Sequence, residues 1–362
     1  MKLFVYHINP HDKSLHILKN EEMFRRLGVE VHEGYDGELL RGDLKQYDAI
    51  YLNWFENIDG GAVWMPPLRY LRRKLQLMRI GRAGLPVLFC KHNRFPHNVR
   101  YPALSRDLYR ELCRRAALIV AFNEDAEKDL REIFPKDDYA AKIRVIPPLN
   151  YIGAYPENPG APIYEVVKRF KGRMILGCAG KISRYKNVEL ILRAAKELGD
   201  IAFLICGQPS SPEYGERLQK QAEGLENVFT RFETVPDDEM QPLMDVSDLL
   251  IMPYDTKSAA NSGTGRMAFS YGRSVVTPDI ASMNLIPEEL IYKYHYDSDA
   301  EHYDRFLAAI RRAYEDWTRD PSILRRKGEK LRALMESDYS EEAISRKYQE
   351  IFRELKDRKR AK

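Results

Sequence analysis

The sequence predicts an α/β protein built from two Rossmann-like, doubly wound domains, and three observations predict it. At 362 residues the chain is too long for one ordinary core. Short apolar runs that read as strands alternate with helical patterns along most of its length, the arrangement that builds parallel sheets. The alternation breaks once, over residues 150–162, which are rich in Pro, Gly and Tyr and read as a linker.

In the first series, residues 2–8 predict a strand rather than a signal peptide, because no long apolar core or small-residue cleavage site follows. Residues 13–27 predict a helix ended by Gly28, and 29–32 and 48–54 two strands, the second running into Asn53-Trp54-Phe55-Glu56. Residues 64–82 predict a helix with Leu68, Leu71, Leu75 and Met78 on one face and arginines around the rest. A strand over 85–91 delivers Lys91-His92-Asn93-Arg94-Phe95-Pro96-His97. Then come a helix over 104–115, a strand over 117–122, a helix capped by Asn123 that runs to Phe134, and a strand over 143–146.

The second series predicts strands over 173–179, 201–206, 228–232, 249–252, 274–277 and 291–295. Helices are predicted over 187–198, 212–222 and 237–246, and another after Thr264 that Gly272 ends. From Ala300 the pattern is helical, with breaks near Asp320-Pro321 and Asp338-Tyr339.

An apolar fraction of 44% with 31% charged residues is that of a soluble globular protein, and runs such as 116–122 are far too short to span a bilayer. Cys90, Cys113, Cys178 and Cys206 show no paired metal spacing, so buried, reduced thiols in a cytoplasmic protein are expected. The net charge of +4 is unevenly spread: no acidic residue occurs between Gly60 and Arg106, where arginines and lysines are dense. Such a field attracts an anionic partner, whether lipid headgroups, nucleic acid or a phosphorylated substrate. Nucleic acid is the least favoured, since no recognition module or stacking platform accompanies the charge.

Two loops carry candidate chemistry. Gly180-Lys181-Ile182-Ser183-Arg184-Tyr185-Lys186-Asn187 follows the first strand of the second series. It lacks the dinucleotide glycine fingerprint and the Walker spacing, so neither NAD nor a P-loop is supported. It does put two lysines at the carboxyl edge of a sheet, where ligands bind, and two cations there suit a diphosphate. The plainer alternative is a solvated basic loop. Asn261-Ser262-Gly263-Thr264 precedes the helix that carries Met267, Ala268 and Tyr271 on one face. Free N–H groups of a first turn and the helix dipole favour phosphate, against the alternative of an ordinary capped helix.

On these residues the chain resembles the GT-B glycosyltransferases, close to family 4, over essentially its whole length. Gly180-Lys181 with Lys186 is similar to that family's Gly-Arg-x-x-x-x-Lys pattern, Lys181 standing for the arginine. Val246-Ser247-Asp248 with the strand to Pro253, and Ala268-Phe269-Ser270-Tyr271-Gly272-Arg273 with the strand that follows, resemble its approach to the donor site. The resemblance implies two domains facing a cleft: an acceptor domain over 1–155, a donor domain over 156–337, and a terminal helix over 338–357 that packs back on the first. It implies that Lys181, Lys186, Ser262, Gly263, Thr264 and Arg266 hold the diphosphate of a UDP- or GDP-sugar, with Lys186 also catalytic, and that neither a cofactor nor a metal is needed.

One departure matters. The family carries two glutamates eight positions apart near this helix, and the aligned residues here are Ala259 and Met267. Neither side chain accepts a hydrogen bond from a sugar hydroxyl, which leaves the ribose contact and the stereochemical outcome open. The form resembles a bacterial exopolysaccharide and capsule subgroup that lacks the pair, and the loop holding His92, Asn93 and His97 is similar to that subgroup's Val-His-Asn-x-x-Pro-His. His92 is therefore a candidate to deprotonate or orient the acceptor hydroxyl, with Asn93 and His97 on the acceptor side; the alternative is a structural role for either histidine. Asn9-Pro10-His11 is placed for a minor acceptor role, and Arg231-Phe232-Glu233 lies where such folds hold the nucleotide base. Asp297-Ser298-Asp299 imitates a metal-binding DxD but reads as a helix cap.

The expectation is a cytoplasmic transferase moving a sugar to a hydroxyl of a lipid-linked glycan, with a helix over 64–82 that meets an anionic membrane surface through Trp64, Met65, Leu68, Leu71 and Leu75. That helix could equally pack its apolar face on the sheet. A sugar-nucleotide epimerase and a non-catalytic nucleotide- or glycan-binding scaffold are the alternatives of function.

Overall fold

The computed structural model describes residues 1–8, 14–59, 61–95, 99–256 and 261–360. The chain divides into two compact units, one of residues 1–149 with 339–362 and one of residues 150–338.

The first unit runs β1 (Lys2–Tyr6), α1 (Leu15–Arg26), β2 (Glu30–Gly34), α2 (Asp36–Arg41), β3 (Ala49–Asn53), α3 (Met65–Arg82), β4 (Val87–Lys91), α4 (Pro102–Arg115), β5 (Ala116–Ala121), α5 (Asp125–Ile133) and β6 (Ile143–Val145). The second runs α6 (Ile163–Val167), β7 (Met174–Ala179), α7 (Val188–Glu197), β8 (Ile201–Cys206), α8 (Pro212–Ala222), β9 (Val228–Arg231), α9 (Asp237–Val246), β10 (Leu249–Ile251), α10 (Gly263–Ser270), β11 (Ser274–Pro278), β12 (Tyr292–Tyr294), α11 (Asp299–Arg319) and α12 (Ser322–Ser337). The chain then returns to the first unit as α13 (Glu341–Arg360).

Both sheets are six-stranded, and their strand pairs are parallel, in the orders β2-β1-β3-β4-β5-β6 and β12-β11-β10-β7-β8-β9. The second order is the doubly wound dinucleotide-fold order, and the point where it reverses lies between β7 and β10. Loops leaving the carboxyl ends of those two strands flank a natural crevice. They are the two loops singled out in the sequence.

Side-chain alternation puts Phe4, Tyr6, Ile50, Leu52 and Phe89 on one face of the first sheet, against α3 and α4. Leu3, Val5, Tyr51, Leu88 and Val120 face the other way, onto α1 and α13. In the second unit Leu176, Phe203, Ile205, Leu249 and Val276 pack under α7, α8 and α11.

Four expectations change. The break between units falls at 149, because the linker is tied to the second: Tyr151 donates its amide to Ser270 Oγ (2.9 Å), and Asn150 Nδ2 donates to Met335 O (2.8 Å). Two short helices, α2 and α6, were not expected; α2 is closed by Glu38, which accepts from the Tyr35 amide (3.2 Å). Helix α5 starts at Asp125 with Glu124 at its cap position, one residue later than expected. The fourth concerns α3. Its inward face carries Arg73, Gln76, Leu77 and Ile80, while Leu68, Leu71, Leu75 and Met78 are exposed. The alternative in which the leucine face packs on the sheet is thereby excluded.

Candidate functional site

The second unit gathers one cluster. Gly180 follows β7 in the left-handed region at φ +84°, and a Cβ there would lie 3.6 Å from Lys186 Nζ and 3.9 Å from Thr264 Oγ1. Two segments distant in sequence thus converge beside the reversal point: the loop that carries Gly180 and Lys186, and the first turn of α10. Lys186 is only 6% exposed, yet its Nζ donates to the Ala179 carbonyl (3.1 Å) and lies 5.6 Å from the Tyr254 ring centroid. Among the described residues no carboxylate pairs with it. A buried ammonium without a counter-charge is costly unless an anion arrives.

Ser262 caps α10, its Oγ accepting from the Gly265 amide (2.9 Å), which orients the free N–H groups of the first turn outward. Arg266 is buried and donates to the Tyr151 hydroxyl (3.3 Å), whose ring lies 5.3 Å from the guanidinium. Gly263 is exposed. Of the predicted donor residues, Lys186, Ser262, Gly263, Thr264 and Arg266 occupy this one region, whereas Lys181 is exposed on the same loop. Met267 is buried, and Ala259 lies outside the described residues.

Sequence reasoning missed three contributors. Tyr254 is buried with its hydroxyl against those of Thr264 and Ser262, and burial holds that hydroxyl protonated. Tyr151 props Arg266 from the linker. Gly207, at φ +152°, lets the chain pass so close to Gly180 that a Cβ would meet the Gly180 carbonyl oxygen at 2.0 Å. Only the glycine carried a sequence signal, as the residue ending β8.

Next to the carboxyl ends of β8 and β9 opens a cavity of about 310 Å³ lined by Ile163, Val166, Phe229, Arg231, Glu233 and Leu243, among others. Its size is at the lower end for small-molecule sites. Arg231 there is held by Glu233 (2.6 Å) and Glu239. Asp297-Ser298-Asp299 does mark a helix start: Ser298 holds the cap position of α11, and Asp297 pairs with His295 (3.1 Å).

In the first unit His92 is buried, not presented at the surface. Its ring stacks beneath Trp54 (centroids 3.8 Å, 19°), meets His16 and Phe122 edge-on, and shares a 3.1 Å hydrogen bond with Asn53 Oδ1. Trp54 itself stands at φ +48°, strained for a non-glycine residue, at the carboxyl end of β3. Asn93 is half-buried; His97 and the Asn9-Pro10-His11 turn lie outside the described residues. Lys91 pairs with Asp129 (2.8 Å) and fixes the start of the loop. The fold also brings together His16, Cys90 and His92, which the spacing of histidines did not suggest. Burial pushes the Cys90 thiol up to about 12, which opposes the thiolate a metal would want.

Residues 163–330 match the model of the family described as glycosyl transferases group 1. Lipopolysaccharide 1,2-N-acetylglucosaminetransferase of Salmonella typhimurium is 22% identical over 231 residues, 60% of this chain and 58% of that protein, so the likeness spans little more than half of the relative. Anabaena HepE, solved with UDP and glucose, superposes with a TM-score of 0.73 at 13% identity, over 97% of this chain and 99% of its own. Sucrose-phosphate synthase of Thermosynechococcus elongatus gives 0.73 at 14%, over 98% of each chain. The fold is that of the GT-B glycosyltransferases.

Proposed function

We propose that this chain is a glycosyltransferase that moves a sugar from a nucleoside-diphosphate sugar to a hydroxyl of a glycan. The observation that carries the reading is the buried Lys186 ammonium, set beside Gly180 and the first turn of α10 with no carboxylate paired to it among the described residues. A diphosphate supplies the missing charge. As the glycosidic bond breaks, negative charge grows on the leaving phosphate. A fixed ammonium and oriented N–H groups stabilise that charge without reorganising, which is metal-independent leaving-group catalysis. Lys181, from the exposed part of the loop, adds a second cation, and Arg266 stands behind the turn.

The cavity at the ends of β8 and β9 takes the nucleoside, next to the diphosphate region because β7 and β8 are neighbours. Support for a uridine nucleotide comes from HepE, solved with UDP. Support for a lipid-linked glycan comes from the Salmonella relative, named for lipopolysaccharide. The family 4 resemblance supports retention of configuration and a place in cytoplasmic polysaccharide synthesis. On the acceptor side the burial of His92 under Trp54 favours a positioning role for the histidine.

A thermal-shift series with UDP, GDP, dTDP and their sugars tests the reading. At least one nucleotide raises the melting temperature of the wild type, and Lys186→Ala abolishes that rise. Turnover in the variant falls by about 100- to 1,000-fold, the usual loss when one donor to a developing anion is removed. If no nucleotide shifts the wild type, the donor site does not exist.

A further inference from the structure

Most of the large apolar side chains that the described residues leave exposed lie on one ridge of the first unit. Val63 and Trp64 lead into it, and Leu68, Leu71, Leu75 and Met78 continue it at the spacing of a single face of α3. Trp64 is 63% exposed and Leu71 62%. A surface helix ordinarily turns leucines inward and arginines out. Helix α3 keeps Leu77 and Ile80 inside, but buries Arg73 and Gln76 beside them and turns a second, leucine-rich face outward.

This arrangement is locked from beneath. Arg73 is buried between the rings of Tyr6 and Phe55 (4.9 and 4.5 Å) and pairs with Asp36. Arg79 donates to the carbonyls of Leu39 (3.1 Å) and Gly42 (2.9 Å), and Gln76 Nε2 to that of Asp36 (3.0 Å). Rotating the leucines inward would break all of these, so their exposure is part of the fold. A contiguous exposed apolar face of this kind marks an interaction surface.

The charge around the ridge selects the partner. Of the carboxylates close to it, Asp36 is paired with Arg72 and Arg73, and Asp107 and Glu111 with Lys74, while Asp59 accepts the Arg100 backbone amide (2.9 Å). Arg82 extends the exposed face by one turn, and Arg100 reaches the Gly61 carbonyl at the other end (3.4 Å). Among the described residues neither guanidinium has a carboxylate. We propose that this ridge docks the protein on an anionic lipid bilayer, α3 lying in the plane of the surface. The leucines and Trp64 enter the boundary between headgroups and acyl chains, and the arginines meet lipid phosphates. A convex apolar ridge with cationic ends suits a deformable anionic surface. A second copy of the chain would bring like charges together. No described helix is long and apolar enough to cross a membrane, so the contact is peripheral. The inference stands apart from the donor site and does not rest on it.

Co-sedimentation of the full chain with vesicles of phosphatidylglycerol or of phosphatidylcholine tests it. The wild type pellets with phosphatidylglycerol and far less with phosphatidylcholine. Leu68→Ser/Leu71→Ser/Leu75→Ser, with the wild-type melting temperature because all three sites are exposed, binds at least about tenfold more weakly. The single Leu71→Glu change weakens binding as well, should the triple variant melt early. Arg82→Gln and Arg100→Gln each cost about fivefold. A wild type left in the supernatant with phosphatidylglycerol overturns the proposal. So does unchanged binding by the leucine variants, or a dimer in sedimentation analysis that those variants dissolve.

Discussion

At the scale of single residues, the buried carboxyl of Glu56 carries a prediction that no linear pattern hints at. It is 3% exposed, and its Oε2 has no hydrogen-bond partner among the described residues. Loss of water outweighs the attraction of Lys91 and Arg73 and pushes its pKa up to about 7. The folded value lies above the unfolded one, so Glu56 favours the fold fully below the unfolded pKa of about 4.5, and that contribution is lost as the pH rises through 7. Glu56→Gln keeps the shape and removes the titration. Melting curves at pH 5 and pH 8 should show the wild type losing on the order of 3 kcal/mol across that window relative to the variant. Equal slopes for the two proteins would refute the burial argument. Lys186 was legible in the sequence because its place follows from chain order alone: strand, loop, helix. Glu56 and Trp54 were not, because their character comes from what packs around them, and a linear pattern does not say which neighbours a turn will meet.

At the scale of elements, α10 is positioned from both ends. Ser262 caps its start, and at its end the chain turns at Gly272 (φ +68°), against which α12 packs so closely that a Cβ on Gly328 would meet the Gly272 carbonyl oxygen at 1.8 Å. Two effects compete when Gly328 becomes alanine. Helix propensity favours alanine by about 1 kcal/mol, but a backbone oxygen cannot swing aside as a flexible side chain can. The clash wins. Gly328→Ala should lower stability by about 2 kcal/mol net and push the end of α10 away, weakening nucleotide binding as well. Denaturant melts and a nucleotide titration check both, and a stabilised variant would show that the helices do not approach as described. Helices such as α8 and α9 were readable to the residue, because Pro212 sits in a first turn and acidic residues mark the start of the other. Short α2 and α6 carry acidic residues in their first turns too, but at six and five residues they are too short to show a helical period. The leucine face of α3 was readable, but not which way it turned, since amphipathicity gives the stripe and only the partners of Arg73 and Gln76 give the direction.

At the scale of the molecule, the first unit is assembled from the two ends of the chain, and the second lies wholly between them. Helix α13 buries Ile344, Tyr348, Ile351, Phe352 and Leu355 on the face formed by β1, β3, β4 and β5, with Tyr348 against Phe24 (4.8 Å) and its hydroxyl bonded to that of Tyr51 (3.0 Å). Arg144 holds its far end through both oxygens of Glu354. Five large apolar side chains at about 2 kcal/mol each contribute on the order of 10 kcal/mol, as much as the whole net stability of a typical domain. A chain ending at residue 338 should therefore lose its first unit while keeping its second, whose core draws nothing from α13. Hydrogen exchange reads this element by element. Protection of β1, β3 and β4 should collapse in the shortened chain, while β7, β8 and β10 stay protected and the nucleotide-induced rise in melting temperature survives. Should β1, β3 and β4 remain as protected as in the full chain, the face beneath α13 does not need its cover, and the area argument fails for this sheet.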